Sequence, residues 1–139
     1  MKIYNGEGMI LGRLAARVAK DALLGEEVKV VNCEKIVLSG RKRVTLNREK
    51  VKVDRGPHPM LSPRTSRLPY LLVRRSIRGM LPWKHPRGKE AYKRVLCYTG
   101  LPAEFAGKEL IALPDSSWKK LPTLKFLTVG QICKELGGK

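Results

Sequence analysis

The chain has 139 residues, 42% hydrophobic and 29% charged, with a formal net charge of +17. That length and apolar content suit a single folded domain spanning 1–139 whose core needs neither disulfides nor metal, and they exclude wholesale disorder. The charge is unevenly placed: residues 41–94 hold 17 basic and 3 acidic side chains, a net +14, against +1 for residues 1–40 and +2 for residues 95–139.

Lys2–Asn5 is predicted as a short strand running into a turn at Gly6 and Gly8. From Leu11 to Leu24 the apolar residues recur with helical spacing. Leu11, Leu14, Ala15, Val18 and Ala22 share one face, and Arg13, Arg17, Lys20 and Asp21 fall largely on the other. Gly25 is the expected stop. Val28, Val30 and Val31 then form a β-branched run, the mark of a buried strand. Strand, helix and strand joined by short turns make a βαβ unit, so an α/β fold with parallel strands follows.

Residues 40–53 read two ways. Val44 and Val51, seven apart, mark one face of a helix, whereas the stretch from Val51 to Val53 equally suits the start of a strand. Residues 56–69 carry four prolines and no periodicity, an irregular basic loop of a length that usually means function or disorder. An amphipathic helix is predicted over Tyr70–Leu81, ended by Pro82. Tyr70, Val73, Ile77, Met80 and Leu81 share an arc of about 100°, with Arg74, Arg75 and Arg78 on the adjoining arc. A short helix near Lys89–Lys93 precedes a strand over 94–98, and Leu110–Leu113 and Leu124–Leu127 are candidate further strands. Thr128 with Gln131 forms a capping box for a last helix through Ile132, Cys133 and Leu136, closed by Gly137 and Gly138.

The chemistry of catalysis finds little support. Cys33, Cys97 and Cys133 are odd in number, far apart and without CxxC spacing, which speaks against zinc or a disulfide framework and for a reducing cytoplasm. No apolar run approaches the roughly 20 residues that cross a bilayer, and no secretory leader pattern is expected. His58 and His85 neighbour prolines, without HExxH or carboxylate company, so no metal is expected on them. Gly6, Gly8 and Gly12, with Glu34 after the second strand, imitate a dinucleotide loop. Their GxGxxxG spacing is one residue longer than the commonest fingerprint, and there is no room for a second nucleotide-binding half. Neither a cofactor nor a small-molecule substrate is expected. Glu49, Asp54 and Glu90 lack the close pairing of a two-metal nuclease, and no serine or cysteine nucleophile has an evident His–acid partnership. No catalytic residue is assigned.

The charge points elsewhere. A folded chain that gathers so much like charge repels itself unless a polyanion neutralises it, and nucleic acid is the commonest cellular polyanion. Arginine outnumbers lysine 11 to 6 in the basic region, and its planar fork bonds two phosphate oxygens at once. The candidate contacts are Arg41, Lys42, Arg43, Arg48, Lys50 and Arg55 around the 40–53 element, with Arg64 and Arg67 in the loop. Arg74, Arg75 and Arg78 follow on the helix, then Lys84, Arg87, Lys89 and Lys93 beyond it. Lys52 and Arg94 belong to the same cluster. A merely solvated face would intersperse the two signs. Trp83, beside Lys84 and His85, reads either as a platform for an exposed base or as an aromatic lid packed over the core, the commoner fate.

Several stretches resemble a known family. They are Leu-Gly-Arg-Leu-Ala at 11–15, Val-Val-Asn-Cys-Glu at 30–34 with Ser39 and Gly40, and Arg-Gly-Met-Leu-Pro at 78–82. Lys84, Arg87 and Gly88 continue the last of these, as does Arg-Val-Leu-Cys-Tyr-Thr-Gly at 94–100. Together they resemble the ribosomal protein L13 family, in its archaeal and eukaryotic branch, through residues 9–102 and more weakly to the C-terminal helix. The resemblance implies a three-layer α/β fold with a small, mainly parallel four-stranded sheet between helices. It also implies a structural, non-enzymatic role in the cytoplasmic large ribosomal subunit, binding large-subunit ribosomal RNA and supporting assembly. Neighbouring large-subunit proteins are the other expected partners; no membrane and no homo-oligomer are expected. Arg78, Lys84 and Arg87 fall on the family's basic motif and are expected to touch RNA, while Gly79, Met80, Leu81 and Pro82 shape the turn. Arg64 and Arg67 rest on charge alone.

Overall fold

The computed structural model describes residues 1–55 and 66–138. Most of the expected proline-rich loop, residues 56–65, therefore lies outside the described residues. In chain order the elements are β1 (Lys2–Asn5), α1 (Leu11–Leu23), β2 (Val28–Val31), β3 (Val37–Ser39) and α2 (Lys42–Asp54). There follow α3 (Pro69–Gly79), α4 (Pro86–Lys93), β4 (Val95–Cys97), β5 (Phe126–Thr128) and α5 (Val129–Glu135).

The βαβ unit forms as expected. β1 and β2 pair in parallel, with Tyr4 opposite Val30, and α1 crosses between them burying Leu11, Leu14, Ala15, Val18 and Ala22. Gly25 ends α1 at a φ of 98°, a conformation that favours glycine. Its N–H reaches the Ala22 carbonyl at 3.2 Å, and that of Glu26 reaches the Asp21 carbonyl at 3.2 Å, so the last turn is closed. β4 joins the far side of β2 in parallel, with Val28 opposite Val95.

The sheet has three strands in the order β1-β2-β4, not the four implied by the resemblance. The candidate strand Leu110–Leu113 contributes only an isolated bridge, Ile111 beside Tyr4. Pro114, three residues after the bridging Ile111, turns the chain into a 3-10 segment, and proline offers no N–H to extend a ladder. A separate antiparallel pair joins β3 to β5, with Leu38 opposite Leu127. β5 starts two residues later than the candidate strand Leu124–Leu127, and β3, three residues long, is too short to show alternation in the sequence.

One face of the parallel sheet carries Tyr4, Val28, Val30, Val95 and Cys97 into a core shared with α1, α3, Ala91 of α4, and Val129 and Cys133 of α5. The other face, Ile3 and Val31, is covered by Phe105 of a 3-10 turn with Tyr98 and Leu110. The layer expected beyond that face is thus a turn and its flanking chain, not an α-helix. Residues 40–53 settle as helix α2, but its inward side is not the expected one. Val44 and Val51 are exposed, whereas Leu46 and Val53 pack on Leu127, Ile132 and Leu136 with Thr45 and Glu49 buried beside them. In α3, Val73 and Ile77 are fully buried as expected, followed by Leu81 just past its end. Met80, assigned to the same apolar arc, is exposed because the helix stops at Gly79. Helix α5 opens on the expected Thr128–Gln131 capping box.

Asp21 departs most from the helical pattern of α1: it is buried. Its carboxylate accepts a hydrogen bond from the Tyr4 hydroxyl and lies 3.4 Å from Lys2 Nζ and 3.6 Å from Arg17 Nε. Burial alone raises its pKa, but the Tyr4 hydroxyl, Lys2 and Arg17 together outweigh burial and hold it below the usual carboxylate range. Burial and Asp21 push the Tyr4 phenol the other way, up. A depressed carboxylate stabilises the fold fully above its unfolded pKa and loses that contribution as pH falls through the folded value. D21N should therefore cost about 1–3 kcal/mol at neutral pH and flatten the decline in stability below about pH 4. Urea denaturation of both proteins at pH 7 and pH 3 checks this; parallel acid declines would contradict it.

Candidate nucleic-acid interface

The basic region divides among three helices, and each is fastened to the body differently. On α2, Arg41, Arg43, Lys50 and Arg55 are exposed on the helix or its flanks. Lys42 pairs with Glu135 of α5 at 3.3 Å. Glu49 is buried beneath its own helix, accepting from Lys52 Nζ at 2.7 Å and Arg48 Nε at 3.3 Å. These cations line a cleft between α2 and α3 together with Arg75, Ser66, Leu72 and Ser76. One buried carboxylate thus faces two cations of its own helix, whose outer side is cationic.

On α3 the three arginines diverge. Arg75 is exposed and faces the α2 cleft. Arg74, one residue earlier, is half-buried with its guanidinium 4.6 Å from the Tyr92 ring centroid. Arg78, one turn after Arg74, lies 5.3 Å from the centroid of Trp83. Trp83 meets Tyr92 edge-on, with centroids 5.0 Å apart and planes at 84°. The four side chains form a row with the two rings in contact at its centre and a guanidinium at each end, each drawn to the negative face of its aromatic.

The turn from α3 into α4 is tightly held. The Trp83 N–H donates to the Leu81 carbonyl at 2.7 Å and that of His85 to the Pro82 carbonyl at 3.0 Å. Gly88 of α4 sits so close to Pro82 that a Cβ there would overlap the proline carbonyl, so glycine is required by space. Lys84, Arg87, Lys89 and Lys93 are exposed on this turn and on α4. Arg87 also borders a groove with Met80, Leu23, Leu24 and Lys20 of α1. Lys20 thus joins the basic surface from the near-neutral first part of the chain. Its place on the outer face of α1 is visible in the helical pattern; its closeness to Arg87 is a matter of packing and is not.

Arg94 serves the fold as well, donating to the last turn of α1 at the Ala22 carbonyl over 3.4 Å. Arg67 is exposed, and its carbonyl abuts Gly138 at the end of α5. Arg64 lies outside the described residues.

The glycine loop before α1 does not have the makings of a dinucleotide cradle. The N–H groups of residues 6 to 10 all have partners within the protein: Val31, Asn5, Lys35, Gly6 and Ser116 in turn. Glu34, the would-be ribose ligand, accepts from the Gly100 N–H at 2.9 Å. The three cysteines are buried and unbridged. A hydrogen bond with Cys97, together with burial, pushes the Cys33 thiol up, and burial pushes Cys133 up to about 11. Both thiols are therefore protonated and weakly nucleophilic at neutral pH. Among the described residues no cluster of three or more potential metal ligands gathers, and no helix is long and apolar enough to cross a membrane.

Fold and charge together define a basic α/β protein with a cationic surface of helices and one rigid turn. The profile of the family described as Ribosomal protein L13 matches residues 1–104, and the chain belongs to that family. It is 37% identical over 139 residues to the large ribosomal subunit protein uL13 of Methanococcoides burtonii, covering 100% of this chain and 99% of that protein. The proteins of the same name from Archaeoglobus fulgidus and Methanocaldococcus jannaschii are 39% and 40% identical. Those matches cover 97% and 100% of this chain, and 86% and 99% of the respective relatives. The Arg-Gly-Met-Leu-Pro stretch and its basic continuation lie inside the matched region.

Glu49→Gln removes the counter-charge shared by Arg48 and Lys52. Both cations are more than a third exposed, so water takes up most of the loss and the expected cost is about 1 kcal/mol at low salt. Added salt should shrink that cost by screening the remaining repulsion. Denaturation midpoints of wild type and E49Q at two ionic strengths read this out, and a difference that grows with salt would contradict it.

Proposed function

We propose that this chain is a single-domain, structural component of the cytoplasmic large ribosomal subunit that binds large-subunit ribosomal RNA and supports subunit assembly. The observation that carries the reading is the separation of charge by element. A near-neutral βαβ body holds α2, α3, α4 and their connecting turn, on which Arg41, Arg43, Lys50, Arg55, Arg75, Lys84, Arg87, Lys89 and Lys93 are exposed. Family membership and relatives named as large-subunit proteins support the RNA partner and the neighbouring subunit proteins. Arg78, Lys84 and Arg87 carry the family's basic motif. The exposed cations meet phosphates; Arg48 and Lys42, already ion-paired at home, contribute less. Arg74 supports the turn through Tyr92.

Each phosphate contact releases counterions, so the logarithm of affinity falls with the logarithm of salt by about 0.7–0.9 per contact. Six contacts give a slope near −4 to −5. Replacing Arg75, Lys84 and Arg87 together by glutamine should make that slope shallower by about 2–3 and leave the melting temperature close to wild type, since all three are exposed. Filter binding of a large-subunit ribosomal RNA fragment across a salt series measures it. An unchanged slope in the triple variant, or salt-insensitive binding by the wild type, would overturn the proposal.

A further inference from the structure

We infer that Trp83, with Arg78 and Lys84 beside it, is a receptor for one unstacked nucleotide of the bound RNA, an inference that rests on the RNA-binding reading above. Trp83 is 39% exposed, so part of it remains open to solvent. It is nonetheless held firmly: Tyr92 meets it edge-on, Arg74 backs Tyr92, and the hydrogen-bonded turn between Leu81 and His85 fixes the backbone. Gly88 pressed against Pro82 locks that turn to α4. A large flat ring kept at the surface in one orientation has already given up the freedom that binding otherwise removes.

The surroundings suit a nucleotide in both its parts. Trp83 borders a shallow surface groove of about 500 Å³ lined also by Gly79, Leu81, Pro82, Arg78, Lys84 and His85. Its floor is apolar, which favours the face of a base, and the charges at its rim are all positive, which favours the phosphate attached to that base. Arg78 stands 5.3 Å from the indole centroid, within reach of either role. A protein partner would find no acidic group in this rim with which to pair its own cations, so charge complementarity selects the polyanion. Stacking requires a base turned out of its helix, so the target is a single-stranded, bulged or loop nucleotide and not a paired one.

Two measurements test this. The protein has two tryptophans, and Trp118 rests against Phe126 at 5.4 Å. In a Trp118→Phe background the fluorescence of Trp83 should be quenched by a single-stranded oligoribonucleotide and unaffected by a fully paired RNA hairpin of equal charge. In the second, W83A should weaken binding of the single strand about 10-fold with an unchanged salt slope, because stacking neutralises no phosphate. W83F should recover most of that loss, whereas W83L, which restores bulk against Tyr92 but no π face, should not. Equal recovery by W83L and W83F, wild-type affinity in W83A, or the absence of quenching would overturn the nucleotide receptor. If wild-type binding still falls steeply with salt in those cases, the ribosomal RNA reading stands without it; if wild-type binding shows no salt dependence, both fail.

Discussion

Helix α3 lies on α1 and β4 through Val73 and Ile77, both fully removed from solvent, with Leu81 completing the seam just beyond the helix. The same eleven residues carry Arg74, Arg75 and Arg78. Like charges three and four apart on a helix destabilise it, and an isolated helix of this length is marginal in water even without them. The seam supplies what the helix lacks, since burying each of those aliphatic side chains contributes about 1.5–3 kcal/mol. If α3 detached, Arg75 and Arg78 would no longer stand in register with the α2 cleft or with Trp83. The cationic surface therefore depends on an apolar contact that bears no charge.

Two buried carboxylates answer positive charge in different elements, α1 and α2. Asp21 ties α1 to β1 through Tyr4 and Lys2 within the near-neutral body, and Glu49 gives α2 a buried counter-charge to its own Arg48 and Lys52. Glu49 works with solvated cations at its margin, whereas Asp21 gains an aromatic hydroxyl that is itself buried. Repulsion among the exposed cations of the basic region is a residual cost that the free chain carries.

What the sequence made legible follows from the range of the forces involved. The βαβ unit, the Gly25 stop, the Thr128–Gln131 box and the buried side of α3 are local patterns, decided within one or two turns of chain. Val44 and Val51 share a helical face, but so do Leu46 and Val53, and only the position of Leu127, Ile132 and Leu136 decides which pair goes inward. Asp21 looks like an exposed helix residue until Tyr4 is brought beside it by strand pairing across the crossover. The basic set was visible as a composition, but its partition was not. Lys42 is drawn to Glu135, Arg74 to Tyr92 and Arg94 to Ala22 by partners distant in sequence or on other elements. Lys20 comes to border Arg87 in the same way.

The stretch Arg-Gly-Met-Leu-Pro shows why composition and geometry must be read together. Leu81 goes into the core, whereas Met80 beside it faces the groove shared with Arg87. The helix has already stopped at Gly79, and Pro82, three residues on, leaves its carbonyl where Gly88 and His85 can close on it. Arg78 and Trp83 flank these residues, so burying Leu81 and closing the turn on Pro82 are the same acts that hold a guanidinium against an exposed indole. A change that loosened the turn, such as a side chain at Gly88, would leave every cation in place and still disperse the arrangement. Composition sets the amount of positive charge; the closed turn decides how that charge is arranged around the indole.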